Sequence, residues 1–342
     1  MRYRDSGVDI HRADAVKEAI GQAIRRTWGP AVRPLAGGFA GVMAWPGGPR
    51  VPLLAATMDG VGTKLHLAIQ RERVDDATAD LVYHCADDLL VHGARPLAFL
   101  DYVAQSRLDP AVIVAAVQGL ARACVEVGAV LLGGETAEMP DTYLPDVVDV
   151  AGCMLGTVMP GSLLGVAGAR PGDVLLGLGS NGLHTNGYSL ARKIVTASGL
   201  RLEDALPGGD GGSIGDALLA SHRWYGPALL PHVERRRVRA LAHVTGGGIA
   251  GNLVRVLPEG AHAVVEGASW KWPPIFRWLV ETGGVPLADA RQSFNLGIGM
   301  VVVCASGEAE SLASDLQRSG ESVAAIGEVV VGPRGVEWRG GS

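Results

Sequence analysis

The chain is short of cysteine, of charge and of basic runs, and each shortage removes a class of protein. Only four of its 342 residues are cysteine. Cys85, Cys124, Cys153 and Cys304 form no C-x-x-C pair and no metal-ligand spacing. They read as small buried hydrophobes in a reducing compartment, with the cytosol as the expected location. Lys and Arg total 30 against 35 Asp and Glu, a formal net charge of -5. With no cluster of cations, neither a nucleic-acid partner nor an anionic membrane surface is expected. The opening MRYRDSGVDI lacks the apolar core of a signal peptide. Glycine is abundant, 49 residues, but aperiodic, which excludes collagen and solenoid repeats. Val150 to Ala169 is uncharged, yet Pro160 and repeated glycines make it a buried strand, a turn and a short helix instead of a membrane span.

What the chain does have is apolar bulk. Hydrophobic residues make up 48% and charged residues only 19%, which suggests surface hidden in an oligomer, expected here to be a dimer. The length exceeds what one core serves, and turn residues at Ala169 to Val174 divide it into residues 1–170 and 171–342. Strands alternating with helices predict an α/β architecture with mixed sheets and function gathered at strand ends. One strand ends on Asp59 in VPLLAATMDGVGTK, with a helix from near Thr63. A helix over about Asp75 to His92 sets Leu81, Val82, Cys85 and Leu89 on one stripe and Asp80, His84, Asp87 and Asp88 opposite. Such a charged face is solvated by default. A further helix stops at Gly128, and the strand AVLLGG runs into Glu135 and Glu138. Trp270, Trp272 and Trp278 read as packing anchors.

LLGLGSNGLHTNGYSL, Leu175 to Leu190, contains Gly177-x-Gly179-x-x-Gly182 behind an apolar run and so mimics a dinucleotide fingerprint. The third glycine of that fingerprint lies in the helix, whereas here a helix is predicted only from Gly187 or Tyr188. NAD is therefore set aside for an anion-binding loop, in which Ser180, Thr185, Asn186, Ser189 and backbone N–H groups hold a phosphate. His184 inside it is a candidate proton carrier, although a lone histidine is usually structural. No Walker A pattern occurs. Asp59, Asp88 and Glu135 can hold Mg²⁺ against a polyphosphate, with Lys64 as a point charge.

In chain order, DGVGTK, GGETAEMP, GLHTNGYSL, HVTGGG and FNLGIGM resemble the aminoimidazole ribonucleotide (AIR) synthetase, or phosphoribosylformylglycinamidine cyclo-ligase, family, from Tyr3 to about residue 330. The resemblance implies a two-domain PurM-like fold, an N-terminal sheet pairing across a homodimer, and ATP- and Mg²⁺-dependent closure of formylglycinamidine ribonucleotide (FGAM) to AIR. A monovalent cation such as K⁺ is a further candidate. It assigns nucleotide binding to Arg4, Gly37, Gly38, Asp59, Gly60, Gly62, Thr63, Lys64 and Asp88, and metal binding to Asp59, Asp88 and Glu135. Substrate binding falls to Ser180, His184, Thr185, Asn186, Gly187, Tyr188, Thr245, Gly246 and Gly247. His184, His243 and Lys64 are the implied catalytic groups. Arg4, Met58, Asp87 and SHRWYGP (Ser221 to Pro227) depart from the family pattern. Related folds that depend on cysteine are disfavoured, because no cysteine precedes Cys85 and the chain ends RGGS.

Overall fold

A computed structural model describes residues 1–2, 20, 24–34, 38–48, 50–145, 147–165 and 168–340. Arg4 and Gly37 lie outside the described residues. Two six-stranded mixed sheets carry the fold. The first has the order β1 (Val32–Arg33), β2 (Gly41–Ala44), β3 (Leu53–Gly60), β6 (Val148–Val158), β4 (Arg95–Gln105), β5 (Val130–Glu138). Only β4 and β5 pair in parallel. The second runs β12 (Gly335–Arg339), β9 (Ala261–Glu266), β11 (Val323–Val331), β7 (Asp173–Gly179), β10 (Ile298–Ala305), β8 (Ala240–His243), with β12 parallel to β9.

Helices α1 (Lys64–Gln70), α2 (Val74–Leu90) and α3 (Pro110–Val127) belong to the first sheet. Asp109 caps α3 by accepting from Ala111 N at 2.9 Å, Pro110 opens it, and Gly128 ends it in the left-handed region at φ 76°. This helix is the one described segment long and apolar enough to cross a membrane by length and composition; it packs on α2. The approach is tightest at Gly119, where a Cβ would stand 2.0 Å from Asp75 O. The described residues from Val150 to Ala169 hold most of β6, with alternate residues buried, and a short 3₁₀ turn at Pro160–Ser162; those that follow the turn form no helix.

The second half of the chain also holds α4 (Tyr188–Ser198), α5 (Ile214–Leu218), α6 (Gly226–Glu234), α7 (Gly248–Leu253), α8 (Pro274–Gly283), α9 (Leu287–Ser293) and α10 (Ser306–Arg318). As the glycine spacing predicts, α4 begins at Tyr188, well past Gly182. Gly187 precedes it at φ 84°, and a Cβ there would meet the Phe294 ring at 2.6 Å. Trp278 is buried, and the Trp270 indole donates to Leu296 O at 2.9 Å. The solvated face that is the default for such a charged stripe is not found on α2. Asp80, His84, Asp87 and Asp88 are buried, because the second half of the chain packs on that face. There His222 N donates to Asp80 Oδ1 at 2.7 Å and Tyr225 N to Asp87 Oδ1 at 3.1 Å.

Candidate active site

The C-terminal end of β3 delivers Asp59 to the cleft between the two halves, with its side chain 45% exposed. Gly60 N donates to its Oδ1 at 2.7 Å, and His84 Nε2 from α2 reaches its Oδ2 at 2.8 Å. Burial would raise the Asp59 carboxyl, but the charge and hydrogen bond of His84 outweigh this and hold it below the usual range. The reciprocal effect acts on His84. Burial pulls its pKa down, while Asp59 and then Asp88 push it up to about 9. His84 Nδ1 also shares a hydrogen bond with Thr185 Oγ1 at 2.7 Å, which ties α2 to the anion-loop candidate.

Asp88 lies one helical turn beyond His84. Its Oδ1 accepts from His243 Nδ1 at 2.9 Å, and Thr57 Oγ1 approaches Oδ2 at 3.4 Å. His243, at the end of β8, is fully buried; its Nε2 has no partner. Burial lowers its pKa in spite of Asp88, so the imidazole is neutral near pH 7. His184 is buried in the left-handed region at φ 61°, with both ring nitrogens unpartnered. Burial, then His243 and Lys64, hold its pKa well below the ordinary value. Its ring stacks 4.1 Å from that of His222, which in turn lies 5.2 Å from His243.

The remaining predicted residues divide into those the cleft gathers and those it does not. Thr63 Oγ1 and Ser189 Oγ stand 3.2 Å apart across the two halves. Gly62 is at φ 67° just before them. Asn186 Nδ2 donates to Thr185 Oγ1 at 3.2 Å, and Gly246 lies beside Asn186 Oδ1. Thr245 Oγ1 and Gly246 O both meet Asn252 of α7, and Gly247 opens that helix at φ 96°. Ser180 donates to Asn295 Oδ1 at 3.0 Å and borders a hollow of about 370 Å³ with Asn181, Arg223 and Lys271. Gly38 O accepts from Arg255 at 2.8 Å.

Three residues fall elsewhere. Lys64 is no point charge beside phosphates. It is fully buried, paired with Asp80, and donates to His184 O at 3.0 Å and Ala220 O at 3.1 Å. Tyr188 is buried too, its hydroxyl donating to His184 O and to Leu218 O. Glu135 does not join the two aspartates within one chain. It shares the register row of Gly60 three strands away, Gly60 to Ala151 to Tyr102 to Glu135, or about 14 Å at normal strand spacing. The residues that sequence reasoning passed over are His222, Arg255 and the full role of His84. A departure from the family run at Ser221 to Pro227 was the one signal for the first.

Two mixed sheets with acidic groups at strand and helix positions facing a glycine-rich second half define a two-domain, mixed α/β class. Its particular family follows from comparison. Residues 40–158 match "AIR synthase related protein, N-terminal domain" and residues 170–339 match "AIR synthase related protein, C-terminal domain". The chain belongs to this AIR synthase related family, with its PurM-like fold. Among solved structures, a protein from Thermus thermophilus is 22% identical, with a TM-score of 0.65 over 91% of this chain and 93% of its own. A thiamine-monophosphate kinase from Stenotrophomonas maltophilia K279a is 19% identical, with a TM-score of 0.60 over 93% and 94%. PurL of T. maritima, complexed with AMPPCP, is 18% identical, with a TM-score of 0.58 over 93% of this chain and 45% of that one.

Proposed function

We propose that the protein closes the imidazole ring of AIR from FGAM at the expense of ATP. The observation that supports this best is the convergence of Asp59 and Asp88 with the Thr185–Asn186 and Gly246 loops in one cleft. A carboxylate pair for metal-nucleotide thereby faces a second set of backbone and hydroxyl donors suited to a ribose phosphate.

The residues fit Mg²⁺-ATP in part. Asp59 is half exposed and held ionised, and Asp88 lies across His84 from it, so these two would hold the ion. When bound, Mg²⁺ supplies neutralisation of polyphosphate charge. In the reaction, the formamide oxygen of FGAM takes the γ-phosphoryl group and ADP leaves. The amidine nitrogen then attacks the same carbon, its C–N bond forms, the C–O bond breaks, and phosphate departs as the nitrogen loses a proton. The chain's own contribution is orientation. The Thr63 and Ser189 hydroxyls straddle the two halves, and Lys64 locks them together from behind. His243, neutral and oriented through Nδ1 by Asp88, keeps Nε2 free to accept the proton. His184 has no such orienting partner.

The test mixes purified protein with FGAM, Mg²⁺ and ATP and follows ADP and AIR together. Equal yields are expected, and Asp59→Asn should cut turnover by about 100-fold. ADP without AIR would indicate a kinase reaction instead. Homodimer formation is part of the same reading. Among the described residues nothing covers the face of the first sheet turned away from α2 and α3, where Met58, Cys153 and Leu100 stand side by side in register and Met58 is 68% exposed.

A further inference from the structure

Between α2, the His222 segment and the end of β8, three histidines meet that no feature of the proposed reaction requires together. His84, His222 and His243 each offer a ligand nitrogen, and these atoms lie within 4.8 Å of one another. Ring centroids are 4.9 Å apart for His84 and His243, 5.2 Å for His222 and His243, and 5.5 Å for His84 and His222. All three side chains are at least nine-tenths buried. We propose that this cluster is a binding site for a divalent transition metal of the zinc class, built on three imidazole nitrogens and sharing only Asp59 with the carboxylates that serve Mg²⁺-nucleotide.

Unsatisfied atoms point to a ligand. Both nitrogens of His222 and Nε2 of His243 are buried without a hydrogen-bond partner. His222 Nε2 is 3.3 Å from Asp87 Oδ2 but lacks the alignment of a hydrogen bond. Orphaned buried polar atoms are costly, and several converging on one point are best explained by a bound species that accepts their lone pairs.

The surroundings have the character of a metal's outer shell. His243 is oriented by the Asp88 carboxylate through Nδ1, which leaves its Nε2 for the ion, and His84 Nδ1 is held by Thr185 Oγ1, so that His84 Nε2 would exchange its Asp59 partner for the ion. Three imidazoles select Zn²⁺, Co²⁺ or Ni²⁺ over Mg²⁺, which prefers oxygen. Tetrahedral binding at about 2.1 Å brings nitrogens to about 3.4 Å of each other, a closure within reach of the broad terminal torsion of histidine. Asp59 Oδ2, released when His84 gives up its hydrogen bond, is the carboxylate placed for the fourth position. It also marks the entry, since Asp59 is the exposed member of the group. Occupancy would take the lone pair on His243 Nε2, so Zn²⁺ should slow any turnover that uses it.

The site is tested on chelator-treated full-length protein, without nucleotide or FGAM, by titrating Co²⁺ and recording heat and visible absorption. One Co²⁺ per chain is expected, with the ligand-field bands of a low-coordinate ion, displaced by Zn²⁺ and unaffected by millimolar Mg²⁺. His222→Asn and His243→Asn should each weaken binding by about 100-fold or more, while the half-exposed His262→Asn should not. Should the asparagine variants fail to melt cooperatively, His222→Cys keeps a ligand and is expected to retain binding. Zn²⁺ should also raise the melting temperature of the native chain. Absence of binding by the folded native chain below about 100 µM Co²⁺ overturns the proposal. So does full affinity in folded His222→Asn. Because no substrate is present, the result stands whether or not FGAM is turned over.

Discussion

Lys64 carries its charge into a place that water does not reach. Burial alone would lower its pKa, but Asp80 and then Tyr188 outweigh this and hold it above the ordinary lysine value. The ammonium donates to Asp80 and to two carbonyls of the second half, so its task is to bind the halves. Lys64→Met leaves the Asp80 carboxylate buried without its counter-charge and should cost about 3 kcal/mol in denaturant unfolding. Removal of both charges in Lys64→Met/Asp80→Asn should recover part of that loss. No change in the single variant would mean that Asp80 is satisfied by Ser221 and His222 alone. Cys85, Cys124 and Cys304 are buried as the composition suggests, whereas Cys153 on β6 is only partly covered. Burial pushes the thiols of Cys124 and Cys304 up to about 11. At pH 8 roughly one in a thousand is then ionised, so alkylation should be slow and should speed up about tenfold per pH unit until the thiols titrate. Labelling at the rate of a free cysteine at pH 8 would contradict their burial.

At the scale of elements, α2 is the central piece. It is buried along almost its whole length, with the first sheet and α3 on one side and His222, Tyr225 and His243 of the second half on the other. Its contact with α3 depends on the missing side chain at Gly119, where an added Cβ would overlap Asp75 O and Thr78 Oγ1. Gly119→Ala should therefore push the helices apart and destabilise the protein by about 2 kcal/mol, despite alanine's better helix propensity. A stabilised variant in urea unfolding would show that the pair can slide at no cost. The helix itself was readable in advance, over about 75–92 against the observed Val74–Leu90. So were the stop at Gly128 and the late start of α4, because capping and period are local properties.

For the whole molecule, the apolar face of the first sheet is the feature on which the proposed dimer rests. Among the described residues, Met43, Met58, Leu100, Leu132 and Val130 are exposed on β2 to β5, and the proposal places the partner chain there. Light scattering should give twice the chain mass. Met58→Glu should shift it toward one chain at micromolar concentration and speed the labelling of Cys153, its register neighbour. A monomeric native protein at high concentration would remove the dimer from the reading.

Composition, capping residues and the period of apolar residues determined the class of architecture, the main helices and the strand ends on which Asp59 and the glycine loops sit. These depend on neighbours along the chain. What lies across space was decided by tertiary packing alone. A charged stripe at Asp80, His84, Asp87 and Asp88 looks the same in sequence whether water or a second domain covers it, and here the second domain does. That burial turned Lys64 from an exposed charge into a buried tie, while the strand order of the first sheet kept Glu135 three strands away from its expected partners. Packing of the halves also brought His84, His222 and His243 together from separations of 138 and 21 residues. Contacts between distant segments are fixed by which faces exclude water together, and no local pattern carries that information.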